Sequence, residues 1–440
     1  MIHQATIDTP CDLLDLHALE PGRYPHLLES CASGPQGRYD ILFACPGESI
    51  VLRNIDSFDF LAALEDAWKF ERCPDVPATA VPFYGGWFLY LGYELAGQIE
   101  PVLKLPADCS GLPIACATRF PAAVIVDRHH QQAFIVSEQP QLIDAIRADI
   151  ARLPRHRQQA GFAPLRVKED DPEQFIRAAG RILDYIHDGD VFQVNLSRQW
   201  CARRPSAVRL VDLYRRLRAD NPGPFSGLAT WADHALLCSS PERLVEVRGR
   251  EVQTRPIAGT RPRSAREEND RAFSSELLAH PKERAEHIML IDLERNDLGR
   301  IATPGSVTVS ELMVLESYAT VHHIVSNVRA LRRAETTPAD IIRAVFPGGT
   351  ITGCPKVRCM EIIAELETTG RGAYTGSMGY LNRDGNMDLN ILIRTMVQSG
   401  QTIRWRAGAG IVADSIPERE LQETRAKARG LAAAVQGQPT

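Results

Sequence analysis

The sequence lacks the features that mark several large classes of protein. Its ten cysteines are scattered, with no CxxC pair and no cysteine–histidine cluster, which argues against a disulfide scaffold or a zinc site. No apolar run is long enough to span a membrane, and no basic start precedes an apolar block. The net charge of -5 gives no basic excess for nucleic acid. These absences predict a cytoplasmic protein that binds neither nucleic acid nor membranes.

The chain also has no internal repeat and no low-complexity block. Its 440 residues, 44% of them hydrophobic, suit one large domain or two interlocked ones. A polar stretch bounded by prolines at 153–164 is the predicted seam. We therefore expect an N-terminal region at 1–155 and a second region at 165–436.

Strand and helix signals alternate irregularly along both regions. Short apolar runs at 39–43 and 122–126 predict strands, whereas residues 171–187 carry apolar side chains at helical spacing behind a cap and a proline. Residues 281–292 and 355–366 also predict helices with proline near the start. Because the regular rhythm of a doubly wound sheet is missing, the expected fold class is α+β, with mostly antiparallel sheets and packed helices.

Four glutamates form two pairs with a spacing of three residues. Glu283 and Glu286 make the first pair, and Glu420 and Glu423 make the second. On a helix, each pair projects its carboxylates to one face, and two facing pairs can hold a hard dication such as Mg²⁺. The same spacing is also typical of solvated helix surfaces, so taken alone it leaves both interpretations open.

Two glycine-rich stretches and one arginine suggest sites for carboxylates. Residues 346–356 (FPGGTITGCPK) run into a predicted helix start, where backbone N–H groups bind anions. Residues 406–415 (RAGAGIVADS) are predicted to turn after a strand, with glycines that permit close approach of a ligand. Arg394 lies in an apolar run that is expected to be a strand, and a buried arginine needs an acidic partner. Tight-turn packing and an internal salt bridge are the alternatives.

Taken together, five motifs resemble the consecutive signatures of the chorismate-binding enzymes, a family that includes anthranilate, aminodeoxychorismate and isochorismate synthases. The resemblance covers about residues 170 to 430 and implies a large, mostly antiparallel β-sandwich with packed helices, in which the two regions interlock. The motifs are TRPIAGTRPR (254–263), ERAEHIMLIDLERNDLGR (283–300), FPGGTITGCPKVRCMEII (346–363), GNMDLNILIRT (385–395) and AGAGIVADSIPERELQET (407–424).

The resemblance implies a Mg²⁺ cofactor and a role for each matching residue. Glu286 and Glu423 resemble the metal ligands, with Glu283 and Glu420 as supporting carboxylates. Glu242 resembles the acid that protonates the departing 4-hydroxyl of chorismate, since hydroxide is a poor leaving group. The remaining matches are Tyr374 and Arg394 at the enolpyruvyl carboxylate, Gly408, Gly410 and Lys427 at the ring carboxylate, and His323 and Thr260 near the ring.

Gln193 indicates which nucleophile is used. Family members that add water carry a lysine base at this position, and glutamine cannot act as a base at neutral pH. Ammonia needs no deprotonation, so the resemblance implies an aminating member. Because the chain has no glutaminase elbow, the source of ammonia is expected to be a separate glutamine amidotransferase subunit, in a heterodimer, or high free ammonia.

Two aminations remain open. The N-terminal half, with PFYGGWFLYLGYEL at 82–95, and the motif NPGPFSGL at 221–228 resemble the aminodeoxychorismate synthases, which place nitrogen at C4. Ala258 resembles the anthranilate synthases instead, which aminate C2 and expel pyruvate. The well-studied C4 aminators have a nucleophilic lysine at that position, which alanine cannot replace. We expect C4 amination without a lysine adduct, with C2 amination as the alternative.

The N-terminal LLES motif at 27–30 resembles the tryptophan site found in this family. A plain β-strand is the alternative interpretation of the same residues. A catalytically silent binding subunit is a different class of function, and the retained Glu242, Glu286, Glu423 and Arg394 argue against it.

Overall fold

The computed structural model describes residues 2–7, 11–32, 37–74, 81–154, 161–263, 266–279, 281–318 and 321–437. Within these ranges the chain is built from helices and strands in irregular alternation, and every strand pair is antiparallel. The predicted α+β class with mostly antiparallel sheets is confirmed.

Most of the helices pack apolar side chains against the sheets. They are α1 (Leu13–Leu19), α2 (Phe60–Glu71), α3 (Ala96–Ile99), α4 (Pro140–Ala151), α5 (Pro172–His187), α6 (Leu210–Asp220), α7 (Glu267–Ala279), α8 (Pro281–Gly299), α9 (Pro338–Val345), α10 (Lys356–Leu366) and α11 (Pro417–Gln436). No helix among the described residues is long and apolar enough to cross a membrane.

The strands of the first half of the chain are short, with three to six residues each. They are β1 (His3–Ile7), β2 (His26–Glu29), β3 (Tyr39–Ala44), β4 (Ser49–Leu52), β5 (Gly86–Leu91), β6 (Ala115–Phe120), β7 (Ala122–Asp127), β8 (Gln132–Ser137) and β9 (Val167–Glu169). Those of the second half are β10 (Gln193–Arg203), β11 (Phe225–Thr230), β12 (His234–Ser240), β13 (Arg243–Arg248), β14 (Glu251–Thr254), β15 (Ile257–Pro262), β16 (Thr308–Ser317), β17 (Val321–Leu331), β18 (Gly353–Cys354), β19 (Ser377–Asn382), β20 (Met387–Asn390), β21 (Thr395–Ser399) and β22 (Thr402–Ile411).

Two large sheets organise the fold. The first has the order β1-β8-β7-β3-β2-β11-β12-β21-β22-β10-β18, with β9 beside β10. The second has the order β15-β17-β14-β13-β20-β19-β5-β6-β4, with β16 beside β17. Each sheet contains strands from before and after the polar stretch at 153–164, so the two halves of the chain share both sheets. The division into 1–155 and 165–436 stays a prediction, because residues 155–160 of that stretch lie outside the described residues.

Apolar side chains from both sheets meet in one core, where Phe43 of the first sheet packs with Phe88 of the second at a ring-centroid distance of 5.4 Å. Helices α1, α4, α6 and α11 cover the outer face of the first sheet. Helices α2, α8 and α9 cover the outer face of the second. The result is a sandwich of two sheets between two layers of helices.

Two local predictions are wrong. Residues 406–411, predicted to turn, continue strand β22 to Ile411, because they pair with β10 along its whole length. Residues 391–394, predicted to be a strand, instead form the connection between β20 and β21. Arg394 ends this connection with a φ of 50°, a left-handed conformation that is uncommon for a residue other than glycine.

Candidate active site

A cavity of about 170 Å³ lies where strands of both sheets, the start of the 349–351 turn and helix α11 come together. Six of the residues predicted from the sequence line it: Glu242, His323, Tyr374, Arg394, Gly408 and Lys427. The other lining residues are Asn195, Pro241, Ile257, Gly259, Thr350, Ile351, Ile393, Arg406 and Ala407. The structure therefore gathers side chains that are up to 232 positions apart in sequence into one concave site.

Glu242 is the buried acid of this cavity. It lies in the tight connection between β12 and β13, where its backbone carbonyl accepts a hydrogen bond from the Ile391 N–H at 3.0 Å. The Thr350 hydroxyl donates to its carboxyl group at 2.8 Å. Burial raises the pKa of Glu242 to about 7, and nearby Lys427 and Arg394 only partly oppose this shift. The carboxyl group can thus carry a proton near neutral pH, as a general acid must.

Three basic groups and a phenol surround the acid. Arg394, Lys427 and Arg406 line the cavity, and the Arg406 guanidinium forms a 2.7 Å ion pair with Glu367. Burial raises the pKa of Tyr374 to about 12, so its hydroxyl stays protonated and can donate a hydrogen bond. Cationic and hydroxyl donors around one cavity form a site for an anion, and carboxylates are the natural ligands.

His323 and the 258–260 segment form one wall. Burial, reinforced by the charge of Arg394, lowers the pKa of His323 to about 3, so the imidazole is neutral at physiological pH. Its strand β17 pairs with β15, where a register shift separates Ala258 from Thr260. Ile257 and Gly259 line the cavity, whereas buried Ala258 between them does not. The side chain of Thr260 lies outside the described residues.

None of the four predicted metal-binding glutamates lines the cavity, but Glu283 on α8 and Glu423 on α11 lie beside residues that do. A Cβ on cavity-lining Gly259 would come within 2.8 Å of the Glu283 carboxylate, which also pairs with Arg261 at 3.2 Å. On the other side, Lys427 joins Glu423 at 2.7 Å, with both side chains about half exposed. These carboxylates therefore border the cavity from helices α8 and α11.

The carboxylates of α8 and α11 suit partial coordination of Mg²⁺ better than a complete protein cage. Glu286 is half-buried on α8, and Glu420 accepts a hydrogen bond from the Ser415 hydroxyl at 2.7 Å. Among the described residues no three acidic, histidine or cysteine side chains converge, so a cage made entirely by protein is not present. Mg²⁺ usually binds through one or two carboxylates and keeps water and substrate oxygens as its other ligands. Carboxylates that approach from two helices fit that mode.

Gln193 and Gly410 lie next to the cavity, at the start of β10 and near the end of β22. The Gln193 side chain is 8% exposed and lies directly over Gly410, where a Cβ would collide with its amide nitrogen. A side chain is likewise excluded at Gly408, because a Cβ there would lie 2.5 Å from Asn195 Oδ1 and 2.7 Å from the Tyr374 hydroxyl. The glycines of the AGAG motif are therefore required for close approach of side chains from the neighbouring strand.

Two lining residues were missed by the sequence reasoning. Asn195 follows Gln193 by two positions, and this alternation along a strand was the signal that could have found it. Thr350 lies in the glycine-rich stretch that was singled out as a carboxylate site, but its role as the donor to Glu242 depends on the fold. A buried ionic network supports both, since Arg371 donates to the backbone carbonyls of Asn195 at 2.7 Å and Ile351 at 3.1 Å.

Chemically, the cavity combines a protonated carboxyl group with cationic donors and bordering carboxylates. Such a combination of groups is suited to binding a small polyanion and to protonating a leaving group. The comparisons with known proteins agree with this class. The family model described as chorismate binding enzyme matches residues 28–433, and the chain belongs to that family.

Relatives with defined names cover most of the chain. Anthranilate synthase component 1 of Thermus thermophilus is 38% identical over 98% of this chain and 96% of its own length. Aminodeoxychorismate synthase component 1 of Bacillus subtilis is 41% identical over 79% of this chain and 76% of its own. The crystal structure of anthranilate synthase component I from Streptococcus pneumoniae superposes with a TM-score of 0.81 at 32% identity, covering 90% of this chain and 92% of that one. The chain is a chorismate-utilising synthase of the anthranilate, aminodeoxychorismate and isochorismate group.

Proposed function

We propose that the chain is component I of an aminodeoxychorismate synthase, which converts chorismate and ammonia to 4-amino-4-deoxychorismate on the route to 4-aminobenzoate and folate. The observation that carries the proposal is the buried acid Glu242, with a pKa of about 7, in a cavity ringed by cationic side chains. Such an acid is what the loss of a ring hydroxyl requires.

In this reaction the carbon–oxygen bond at C4 breaks and a carbon–nitrogen bond forms. Protonated Glu242 gives its proton to the departing hydroxyl, which leaves as water. The attacking ammonia then releases one proton, so Glu242 can be reprotonated and the atoms balance. Thr350, which donates to the Glu242 carboxyl group at 2.8 Å, fixes the orientation of the acid.

Chorismate carries two carboxylates, and the cavity offers groups for both. Arg394 and Tyr374 are suited to the enolpyruvyl carboxylate, because one is a cation and the other stays protonated. Lys427 and the backbone around Gly408 are suited to the ring carboxylate. When bound, Mg²⁺ would neutralise that carboxylate, with Glu286 and Glu423 as its ligands and Glu283 and Glu420 as their supports.

The ammonia is proposed to come from a glutamine amidotransferase partner in a heterodimer. The names of the component 1 relatives support this, since a first component implies a second. Gln193 supports ammonia as the nucleophile, because its amide cannot deprotonate water at neutral pH. Free ammonium at high concentration should replace the partner in an assay.

Anthranilate synthase component I is the second candidate. Ala258 favours it, as does the relative from Thermus thermophilus that covers 98% of this chain. The two candidates differ in the carbon that receives nitrogen, C4 or C2, and in whether pyruvate is expelled. The NPGPFSGL motif and the N-terminal half support the C4 reaction.

Incubation with chorismate, Mg²⁺ and ammonium separates the candidates. We expect a non-fluorescent product in which one hydroxyl is replaced by an amino group, and which yields 4-aminobenzoate only after a lyase is added. Fluorescent anthranilate together with free pyruvate would contradict the C4 assignment. The readouts are mass spectrometry, fluorescence and a pyruvate assay on the same reaction.

We also propose that tryptophan binds at the LLES motif. A second cavity of about 340 Å³ lies between the two sheets and is lined by Leu28, Glu29 and Ser30, together with the apolar side chains of Ile41 and Met378. Charged side chains such as Arg243 and Asp388 also line it, and a cleft that combines apolar and charged groups suits an aromatic amino acid with its ammonium and carboxylate groups. Calorimetric titration with tryptophan tests the proposal, and no binding at millimolar tryptophan would contradict it.

A further inference from the structure

Two buried amide oxygens beside the cavity lack a hydrogen-bond donor among the residues that the structure describes. Gln193 and Asn195 lie two positions apart on β10, so their side chains lie on the same face of the strand. Within the described part of the chain, neither Gln193 Oε1 nor Asn195 Oδ1 has a hydrogen-bond partner, and both atoms are inaccessible to solvent. A buried carbonyl oxygen without a donor is costly, and folded proteins rarely keep one without a use.

The surroundings of Asn195 are rigid. Its backbone N–H donates to the Thr352 carbonyl at 3.0 Å, and its own carbonyl accepts from Arg371 at 2.7 Å. Arg371 is held in turn by Glu367, whose carboxylate oxygens it contacts at 2.7 and 3.1 Å. Asn195 is therefore well anchored, and its Oδ1, which lacks a donor among the described residues, is held in a fixed position where a ligand could donate to it.

The site is small and borders the reaction cavity, with both amide oxygens buried in its wall. Asn195 lines the cavity together with Glu242, and its Oδ1 lies above Gly408 beside the Tyr374 hydroxyl. In the other direction along the strand, Gln193 is followed outward by Phe192, whose side chain is 68% exposed. Along the chain, exposed Phe192 is thus followed by buried Gln193 and then by cavity-lining Asn195.

The chemistry of the missing donor points to ammonia. The carboxylates of chorismate only accept hydrogen bonds, and the cationic groups Arg394 and Lys427 already suit them. Ammonia donates up to three N–H groups while its lone pair stays available for attack. An amide oxygen can accept a hydrogen bond from ammonia without removing a proton from it. A carboxylate would change the charge state of ammonia by favouring ammonium, and a lysine would compete with ammonia.

We propose that Asn195, through Oδ1, holds ammonia at the edge of the cavity and directs its lone pair toward the ring, and that Gln193 Oε1 is the second acceptor next to it. The inference rests on the proposed amination and deepens it by assigning the nucleophile site. The hydroxyl group of chorismate is the competing donor for Asn195, and the experiment below separates the two.

Steady-state rates of the full chain with chorismate and Mg²⁺, measured over a range of ammonium concentrations at one mildly alkaline pH, test the site. Asn195→Leu keeps the size of the side chain and removes the acceptor. We expect it to raise the KM for ammonia by at least about tenfold while the KM for chorismate changes by less than about twofold. Asn195→Asp keeps an acceptor oxygen and should raise the ammonia KM by less than Asn195→Leu does.

Cys201→Ala is the matched control, because Cys201 lies on the same strand, opposite Arg404 and away from the cavity, and should leave both constants unchanged. If leucine at 195 prevents folding, Asn195→Ser provides the same test, since its hydroxyl is too short to replace Oδ1. A rise in the KM for chorismate alone would overturn the proposal in favour of the substrate hydroxyl, and unchanged constants would also overturn it. No product from the unmodified chain would instead contradict the proposed function.

Discussion

The reaction cavity and the LLES cavity each contain a buried glutamate whose pKa is raised by burial, yet the two carboxyl groups are held in different ways. Glu242 has the hydroxyl of Thr350 as its side-chain donor, at 2.8 Å. Glu29, in the LLES cavity, accepts from the Arg218 guanidinium at 2.6 Å and from the Tyr214 hydroxyl at 2.7 Å. A raised pKa alone does not make a general acid. A carboxyl group that is paired with arginine stabilises the fold, whereas one that is bound to a neutral hydroxyl can give up its proton.

The largest expected effect is the loss of turnover in Glu242→Gln. Glutamine keeps the shape and the contact with Thr350 but cannot protonate the leaving group, so kcat should fall by roughly 10²- to 10⁴-fold. The KM for chorismate should change little, because the groups proposed to bind its carboxylates, Arg394 and Lys427, are unchanged. Turnover with ammonium as the nitrogen source is the measurement. Activity within threefold of the unmodified enzyme would remove Glu242 from the mechanism.

Glu29→Gln should act on stability and not on chemistry. The change leaves Arg218 with only part of its buried ionic network, in which Asp12 remains as a partner, and breaking such a pair costs roughly 3–5 kcal/mol. Denaturant unfolding should show this loss, whereas kcat of the folded fraction should stay near that of the unmodified enzyme. A loss of kcat as large as that of Glu242→Gln, with stability unchanged, would erase the distinction between the cavities.

The third prediction uses the pH dependence of stability. The folded-state pKa of Glu242, about 7, lies above its ordinary value of 4.5, so the folded protein binds this proton more tightly than the unfolded chain does. The associated stability is fully present below about pH 4.5 and is lost as pH rises through 7. Relative to the unmodified enzyme, Glu242→Gln should therefore gain stability between pH 5 and pH 8, by on the order of 1–3 kcal/mol. If the stability difference between the variant and the unmodified enzyme is the same at pH 5 and at pH 8, burial does not raise this pKa.

The smallest expected effect concerns the metal. Glu423→Gln should raise the Mg²⁺ concentration needed for half-maximal turnover by about tenfold or more, because a carboxylate ligand is replaced by a weaker amide. Glu418→Gln, an exposed glutamate in the first turn of the same helix, is the matched control and should not change it. Tryptophan binding at the Glu29 cavity should be independent of Mg²⁺ in both variants. Equal Mg²⁺ requirements for the two variants would contradict the assignment of Glu423.

Much of the site could be predicted from the sequence, because its residues lie in consecutive motifs. Glu242, Tyr374 and Arg394 were each singled out and all line the cavity. The helices at 172–187 and 356–366 were also expected within a residue or two, since their apolar spacing and proline starts are local features. Features that depend on neighbours within a few positions are accessible to this kind of reasoning.

What the sequence could not supply depends on strand pairing. The glycines at 408 and 410 predicted a turn, since glycine weakens strands, but their place is fixed by the side chains of Asn195 and Gln193 on the neighbouring strand. The orientation of Asn195 toward the cavity likewise depends on the register of β10 with β22. Long-range contacts of this type become visible only in the folded chain.

The most direct test of the account is to identify the carbon atom that receives nitrogen. The central claim is that the buried acid and the ammonia site together exchange the C4 hydroxyl of chorismate for an amino group. The product should be formed from chorismate and ammonium labelled with nitrogen-15, and its nitrogen–carbon couplings measured by NMR. We predict nitrogen bonded to C4 with the enolpyruvyl group retained. Nitrogen bonded to C2 of an aromatic ring, with pyruvate released, would contradict the claim.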